Sequence, residues 1–336
     1  MLAAEGHAIN DIESIEARHA HVRSIERARR EYFSSSLERA ADAYLVTRGE
    51  GKTLIAGYPW FGDWGRDTFI ALRGLCIATG RLEEARDILL QWAGTVSEGM
   101  LPNRFPDRGE QPEFNSVDAS FWYIIAVNDY LVAAKQQPAL TDDCHTKKLR
   151  AAVEAILTGY NEGTRFGIRA DRDGLLSAGE HGQQLTWMDA RVDGREITPR
   201  IGKPVEIQAL WLNALAIGAK FSPPWKRVFE KGRVAFENKF WNEHAGFLAD
   251  VIDCDHQAGV VDLTFRPIKF LLLVGCHSRC CQKRRRVGSW MRSKCFCSLH
   301  SVCVRWPQAR PDMQLATKAT HACETLFIIK AQSGRG

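Results

Sequence analysis

From residue 67 to residue 241 the chain alternates stretches of helical period with long loops dense in aromatic residues and carboxylates. Asp67 is placed to start a helix that stops at Gly80. Leu82, Ala85, Ile88, Leu89, Trp92 and Val96 then recur at i, i+3, i+4, i+7 spacing, with a stop at Gly99. Further helices are predicted from Asp118 to Pro138, over 145–160, from an opening at Gly202–Ile207 through Gly218, and from Trp225 to Phe240-Trp241. Residues 11–47 read as one or two helices leading in, and strand-like text is confined to 246–252 and 259–265. The apolar faces are broad and lack sustained heptads, which excludes a coiled coil. Antiparallel helices joined in turn by short turns and long loops point to an all-α chain wound as a helical toroid. Its long loops would then converge at one end. Trp92 and Trp211 sit at helical spacing within apolar faces and read as core.

Three of those loops carry chemistry. The first, Ala56 to Ile70, packs aromatics, two carboxylates, an arginine and three glycines ahead of a helix. Stacking surface combined with hydrogen-bonding charge suits sugars, whose ring faces are apolar and whose rims are hydroxyls. A buried aromatic corner with a satisfied ion pair explains the same residues. Asn115-Ser116-Val117-Asp118 leads into Phe121-Trp122, and Trp187-Met188-Asp189 is followed by Arg200-Ile201-Gly202-Lys203-Pro204-Val205-Glu206. Each sits at a helix entrance, where anionic groups are favoured. The Gly-rich stretch 163–187 is too long for a mere connector.

Other classes find little support. Residues 1–40 contain no apolar signal core and no run of membrane-spanning length occurs, so a cytoplasmic protein without membrane contact is expected. Gly51-Lys52-Thr53 lacks the glycine a phosphate loop needs at position 46, which is Val46. His145, His181 and His244 lack metal-ligand spacing and read as exposed.

The strings GYPWFGDWGRDTFIALRGL, LPNRFPD, NSVDASFW, TWMDA and TPRIGKPVEIQALWLNAL resemble the glucosidase domain of glycogen debranching enzymes, over roughly residues 35–267. The resemblance implies an (α/α)6 barrel preceded by a lead-in over 1–34. It also implies inverting amylo-α-1,6-glucosidase activity on glycogen or a branched α-glucan, with neither metal nor organic cofactor. Asp189 matches the general acid, with Trp187 lining the glucose pocket. Trp64, Arg66 and Asp67 resemble the Trp-x-Arg-Asp segment that holds the terminal glucose. Asp63 and Asp118 would be hydroxyl ligands or orienting groups, and Trp60 belongs to the same loop. Lys203 and Glu206 would sit at the pocket rim. The lesser reading of Asp189 is a helix N-cap before Ala190, and that of Lys203 with Glu206 is a surface ion pair. A non-catalytic glucan binder, and a helical-barrel glycosidase cutting α-1,4 links or trehalose, are the alternative functions.

The pattern breaks near residue 267. The family string continues F-R-P-N-Q, whereas Phe265-Arg266-Pro267 runs into Ile268-Lys269. Residues 270–336 hold 12 Lys/Arg against 2 Asp/Glu and seven of the ten cysteines, while residues 1–269 hold 33 against 38. The family's general base, a glutamate near the domain's end, has no counterpart, since Glu324 lies in an unrelated context. A shifted reading frame over 268–336 explains the switch, and would leave the barrel incomplete at its C-terminal end. A cysteine metal module would need paired C-x2-C knuckles that are missing. A basic tail for nucleic acid or membrane built on Lys283–Arg286 is the third reading; no nucleic-acid partner is expected from the rest of the chain.

Overall fold

The computed structural model describes residues 12–58, 61–105, 111–137 and 142–266. Contacts divide the chain into two compact units, Met1–Val46 and Thr47–Gly336. The first contains α1 (Ile12–Tyr32) and α2 (Ser36–Asp42). Apolar residues of α1 such as Ile15 and Ile25 are exposed, so charge rather than burial organises its C-terminal half. Glu26 pairs with Arg29 and Arg30, each at 2.7 Å, and Arg29 also meets Asp42 of α2. Hydrogen bonds from the two arginines draw the Glu26 carboxyl down to about 2. Ser35 caps α2 by accepting from the Glu38 N–H at 3.1 Å.

The second unit contains α3 (Gly65–Leu72), α4 (Leu82–Ala93), α5 (Ala119–Ala134), α6 (Asp143–Glu162), α7 (Val205–Gly218) and α8 (Pro224–Lys239). They are of two kinds. Nearly every residue of α3 and α7, and all of the first nine of α5, is buried. Helices α4, α6 and α8 bury one face, as amphipathic sequences do. Helix α5 packs between α3 and α7, α4 lies against α5 and α6, and α8 lies against α7. Apolar and amphipathic helices thus alternate along the chain as two layers.

The three apolar helices run parallel. Arg66 in the first turn of α3 and Arg73 just past its end meet Asp118 and Asp129 at the start and in the second half of α5. Phe121 near the start of α5 lies 5.7 Å from Trp211 in the first half of α7. Their N-termini therefore share one end, as do the loops feeding them. Between the layers Phe69 packs edge-on to Trp92 at 4.9 Å and Tyr123 at 5.2 Å, and Phe121 tilts against Tyr160 at 4.7 Å. Buried aromatics of this size stabilise by about 1.5–3 kcal/mol each. Their polar tips are satisfied: Tyr123 donates to Leu89 C=O, Tyr160 to Val117 C=O and Trp211 to Gly174 C=O.

The expected helices differ from the observed ones most clearly at three ends, the first being the lead-in, where helix stops at Asp42 and Leu45–Arg48 is a strand. The helix from Asp67 stops being α-helical at Leu72 and continues as a π-turn, Arg73–Ile77, closed by Ala78 N–H to Arg73 C=O at 3.0 Å. This wider turn carries Cys76 into the core, where burial pushes its thiol up to about 12. Helix α4 ends at Ala93 rather than Gly99, and beyond it the chain passes closely against α6. Gly99 has φ +78°, and a Cβ there would stand 2.6 Å from Gly159 Cα.

Apart from the four-residue strands Leu45–Arg48 and Gly51–Leu54, the strands are two-residue clips between loops, antiparallel in the pairings that follow. Asp63–Trp64 pairs with Arg104–Phe105, Arg169–Ala170 with Leu176–Ser177, and Arg191–Val192 with Arg195–Glu196. Lys203–Pro204 pairs with Val251–Ile252, which also pairs with Val261–Asp262. The chain is all-α in class. No helix among the described residues is long and apolar enough to cross a membrane.

Candidate functional site

Gly65 explains why the first loop can deliver two charged residues to the mouth of α3. A Cβ at this position would stand 2.8 Å from Pro102 C=O, and the Gly65 N–H donates to Asn103 C=O at 2.7 Å. The close approach locks the LPNRF loop onto the first turn of α3. The next side chain, Arg66, is buried.

Arg66 joins three loops. Its Nε donates to Asp118 Oδ2 at 2.7 Å, Nη2 reaches Ser116 Oγ at 3.4 Å, and Nη1 lies 3.6 Å from Asp189 Oδ2. Ser116 Oγ donates in turn to Asp118 Oδ1 at 2.6 Å. Asp118 precedes the first turn of α5, yet its carboxylate makes no capping bond, since both oxygens are committed to Arg66 and Ser116. Burial opposes the charge on Arg66, but Asp118 outweighs that cost and holds its pKa above the usual value. The two ends of the cluster differ in access: the side chain of Arg66 is 7% exposed and that of Asp189 is 52% exposed. The candidate acid is thus presented to solvent from a buried, charge-balanced base.

Asp67 is the carboxylate left over. Burial raises its pKa, the nearby charge of Arg66 lowers it, and the negative charges of Asp118 and Asp189 raise it further. A half-buried carboxyl in the first turn of a helix, facing two other carboxylates, suits hydrogen bonding to neutral hydroxyls. Trp187 is half-buried, and its Nε1–H is enclosed with no acceptor. Trp64 is also half-buried, with the Arg104 guanidinium 5.8 Å from its ring centroid and paired to Glu113 at 2.9 Å.

Other expected site residues go elsewhere. Asp63 neighbours Trp64 on a strand and so points to the opposite face; it is 3% exposed and paired with Arg48. Trp60 lies outside the described residues. Lys203 and Glu206 are not at an open rim, nor do they pair with each other. Lys203 Nζ is buried among Asp171, Asp173 and Asp253 at 2.9, 3.0 and 2.9 Å. Burial works against its charge, but the three carboxylates win and raise its pKa. Glu206 takes both ends of the Arg200 guanidinium, one contact at 2.8 Å, and Arg200 Nε meets Asp250 at 3.1 Å. A charge taken out of water needs partners, and here the partners are protein. Both hubs brace the strand Lys203–Pro204 that leads into α7. Arg200 also anchors one end of the Asp189 loop, whose other end is held by Val117 N–H to Leu185 C=O at 2.8 Å.

The partners that hold these side chains, not singled out in the sequence, are Ser116 for Arg66 and Asp118, Arg48 for Asp63, and Arg200, Asp171, Asp173, Asp250 and Asp253 in the two hubs. Ser116 and Arg200 lie within the matching strings; the others lie outside them. Helical residues Trp92 and Trp211 are core, as expected. His181 and His244 are exposed and His145 half-buried. No grouping of metal-ligating side chains occurs among the described residues. A groove of about 210 Å³ lined by Val127, Leu131, Val132 and Phe221 lies at the far ends of α5 and α7, and belongs to none of this.

A family model described as amylo-alpha-1,6-glucosidase matches residues 39–287, continuing past Pro267. The glycogen debranching enzyme of Saccharomyces cerevisiae is 27% identical over 48% of this chain. The chain spans 14% of that relative's length. Among solved structures, a rhamnosidase from Klebsiella oxytoca with rhamnose bound gives a TM-score of 0.46 at 15% identity, covering 81% of this chain and 47% of that one.

Proposed function

Since this chain belongs to the amylo-α-1,6-glucosidase family, a family of glycoside hydrolases, we propose that its converging loops hold a terminal glucose of a branched α-glucan and that its reaction is hydrolysis of the α-1,6 link. The observation that carries this is the bridge from Arg66 to Asp118 and Asp189, which gathers three loops around one carboxylate open to solvent. Asp189 donates a proton to the glycosidic oxygen as the bond to the leaving chain breaks. Arg66 fixes where that carboxyl stands, and Asp118 with Ser116 fixes Arg66. Asp67 accepts from glucose hydroxyls, while Trp187 and Trp64 supply ring faces for stacking. Lys203 and Glu206 act at one remove, bracing the strand beneath the Asp189 loop.

An inverting reaction also needs a second carboxylate, about 6.5–9.5 Å from the acid, to activate water. No described residue is assigned that role. The absence of a base-bearing string after Pro267 favours a second reading, a domain that binds the glucan without cutting it. Glucose release from isomaltose and from limit dextrin, with Asp189→Asn as control, separates the two. Release that the substitution abolishes supports the enzyme; binding without release supports the binder.

Two further proposals complete this reading. The alternation of α3, α5 and α7 with α4, α6 and α8 supplies three of the six helix pairs of an (α/α)6 barrel. Residues 268–336 derive from a shifted reading frame. Translation of the other two frames of the coding DNA tests this, and also locates the shift at 268 or nearer 287, where the family match ends. Finding no glutamate-bearing family string in either frame would sink the idea.

A further inference from the structure

Asn103 is an unexplained residue at this site. It is 3% exposed, yet its Oδ1 has no hydrogen-bond partner. Its other groups are all engaged. Its backbone N–H donates to Glu113 C=O at 2.6 Å, its C=O accepts from Gly65, and its Nδ2 donates to Asn115 Oδ1 at 3.2 Å. With Nδ2 given to Asn115, the bare atom is the Oδ1 acceptor. Leaving such an atom dry is costly, and buried polar groups usually find a partner.

Its position gives the orphan meaning. Asn103 is bonded to the residue that opens α3, one place before Arg66, and to Asn115, one place before Ser116. It therefore lies between the two loops that Arg66 ties together. Trp187 Nε1 and Gln184 Nε2, on the third loop, are likewise enclosed without partners. An unpaired acceptor on one of the converging loops and unpaired donors on another match a ligand that both donates and accepts, as a sugar hydroxyl does. A carboxylate or phosphate, which only accepts, would leave Asn103 unsatisfied.

We propose that Asn103 is a further sugar-binding residue, its Oδ1 accepting from a hydroxyl of the bound glucose unit. The proposal rests on the glucan-site reading above and adds to it a neutral ligand fixed by Asn115.

The test uses the full chain, with calorimetric titration of glucose and isomaltose into the native protein, Asn103→Leu and Asn103→Ala, alongside thermal unfolding. Asn103→Leu relieves the orphan acceptor but takes the Nδ2 donor from Asn115, so it should unfold close to native protein and at most slightly lower. Binding should nevertheless weaken roughly tenfold in both variants, the loss expected for one hydrogen bond to ligand. Unchanged affinity in both variants overturns the proposal, and so does weaker binding that merely tracks a lowered unfolding temperature. Native protein that binds neither sugar overturns the site reading and the proposal together. Native binding with indifferent variants overturns only the proposal.

Discussion

Arg66, in the first turn of α3, stands 3.6 Å from the Asp189 carboxylate on a loop far along the chain, and this contact decides what Asp189 can be. A helix-capping aspartate would point at backbone N–H groups. Asp189 instead points at a guanidinium whose other nitrogens are taken by Asp118 and Ser116. Arg66→Ala should therefore do two kinds of damage. Breaking a buried pair by removing one partner costs about 3–5 kcal/mol, read as a lowered urea midpoint. Any folded variant should also lose sugar affinity, because Asp189 and Asp118 lose the cation that holds them together. An unaltered urea midpoint would show that the pair contributes nothing.

The pH dependence of stability at Asp67 has a definite sign. Its pKa is raised in the folded protein, chiefly by burial, above the ordinary value of 3.8. Folding then favours the protonated form, and the stability this gives is present below that value and lost as pH rises through the folded pKa. Asp67→Asn should match native protein near pH 3, then become progressively more stable than it as pH rises. Unfolding temperatures measured for both proteins from pH 3 to pH 8 check this. A constant difference across the range would mean Asp67 does not titrate under strain.

Lys203 separates bracing from binding. Asp173 and Asp253 are both held below the ordinary carboxyl value; burial pushes each the other way, but hydrogen bonds and charge, Lys203 among them, prevail. Their contribution is present above the ordinary pKa of 3.8 and lost as pH falls below it. Lys203→Met should destabilise by about 3–5 kcal/mol at neutral pH, since three carboxylates lose a buried partner. The deficit should shrink in acid as those carboxylates protonate. Glucose affinity of the folded variant should stay close to native, and a specific loss of affinity would return Lys203 to the pocket.

Gly99 tests the crossing of α6. With φ +78° and only 2.6 Å from a prospective Cβ to Gly159 Cα, Gly99→Ala must strain the backbone and push the segments apart. A loss of about 1–3 kcal/mol is expected from overpacking alone. Because the helix that moves is α6, whose C-terminal turn packs under the α5 entrance, sugar binding should weaken too.

Much of this was legible in the chain. Period 3.6 marks α4, α6 and α8, where one face is apolar and the other charged. Helices α5 and α7, apolar all round, were found by their entrances, Asp118 and Pro204-Val205, more than by their period. The fold reason is their burial on every side. The site loops stood out through composition, aromatics and carboxylates gathered at helix mouths, although composition alone did not tell a site carboxylate from a structural one such as Asp63. What stayed hidden was pairing. Nothing local says that Lys203 will meet Asp171, Asp173 and Asp253, or that Asp63 will turn away to Arg48. These partners lie on different loops, and only the packing of α3, α5 and α7 brings them together. The same packing moved Lys203 and Glu206 out of the expected rim.

The central claim is that the loops at the N-termini of the three parallel helices form a glucose site around Arg66, Asp67, Trp187 and Asp189. Calorimetric titration of glucose and isomaltose into the full chain, beside Asp67→Asn and Trp187→Ala, tests it most directly. The account predicts saturable binding by native protein, weakened about tenfold or more in each variant, with both variants still folded. Native protein that binds neither sugar, or variants that bind as well as native, would contradict it.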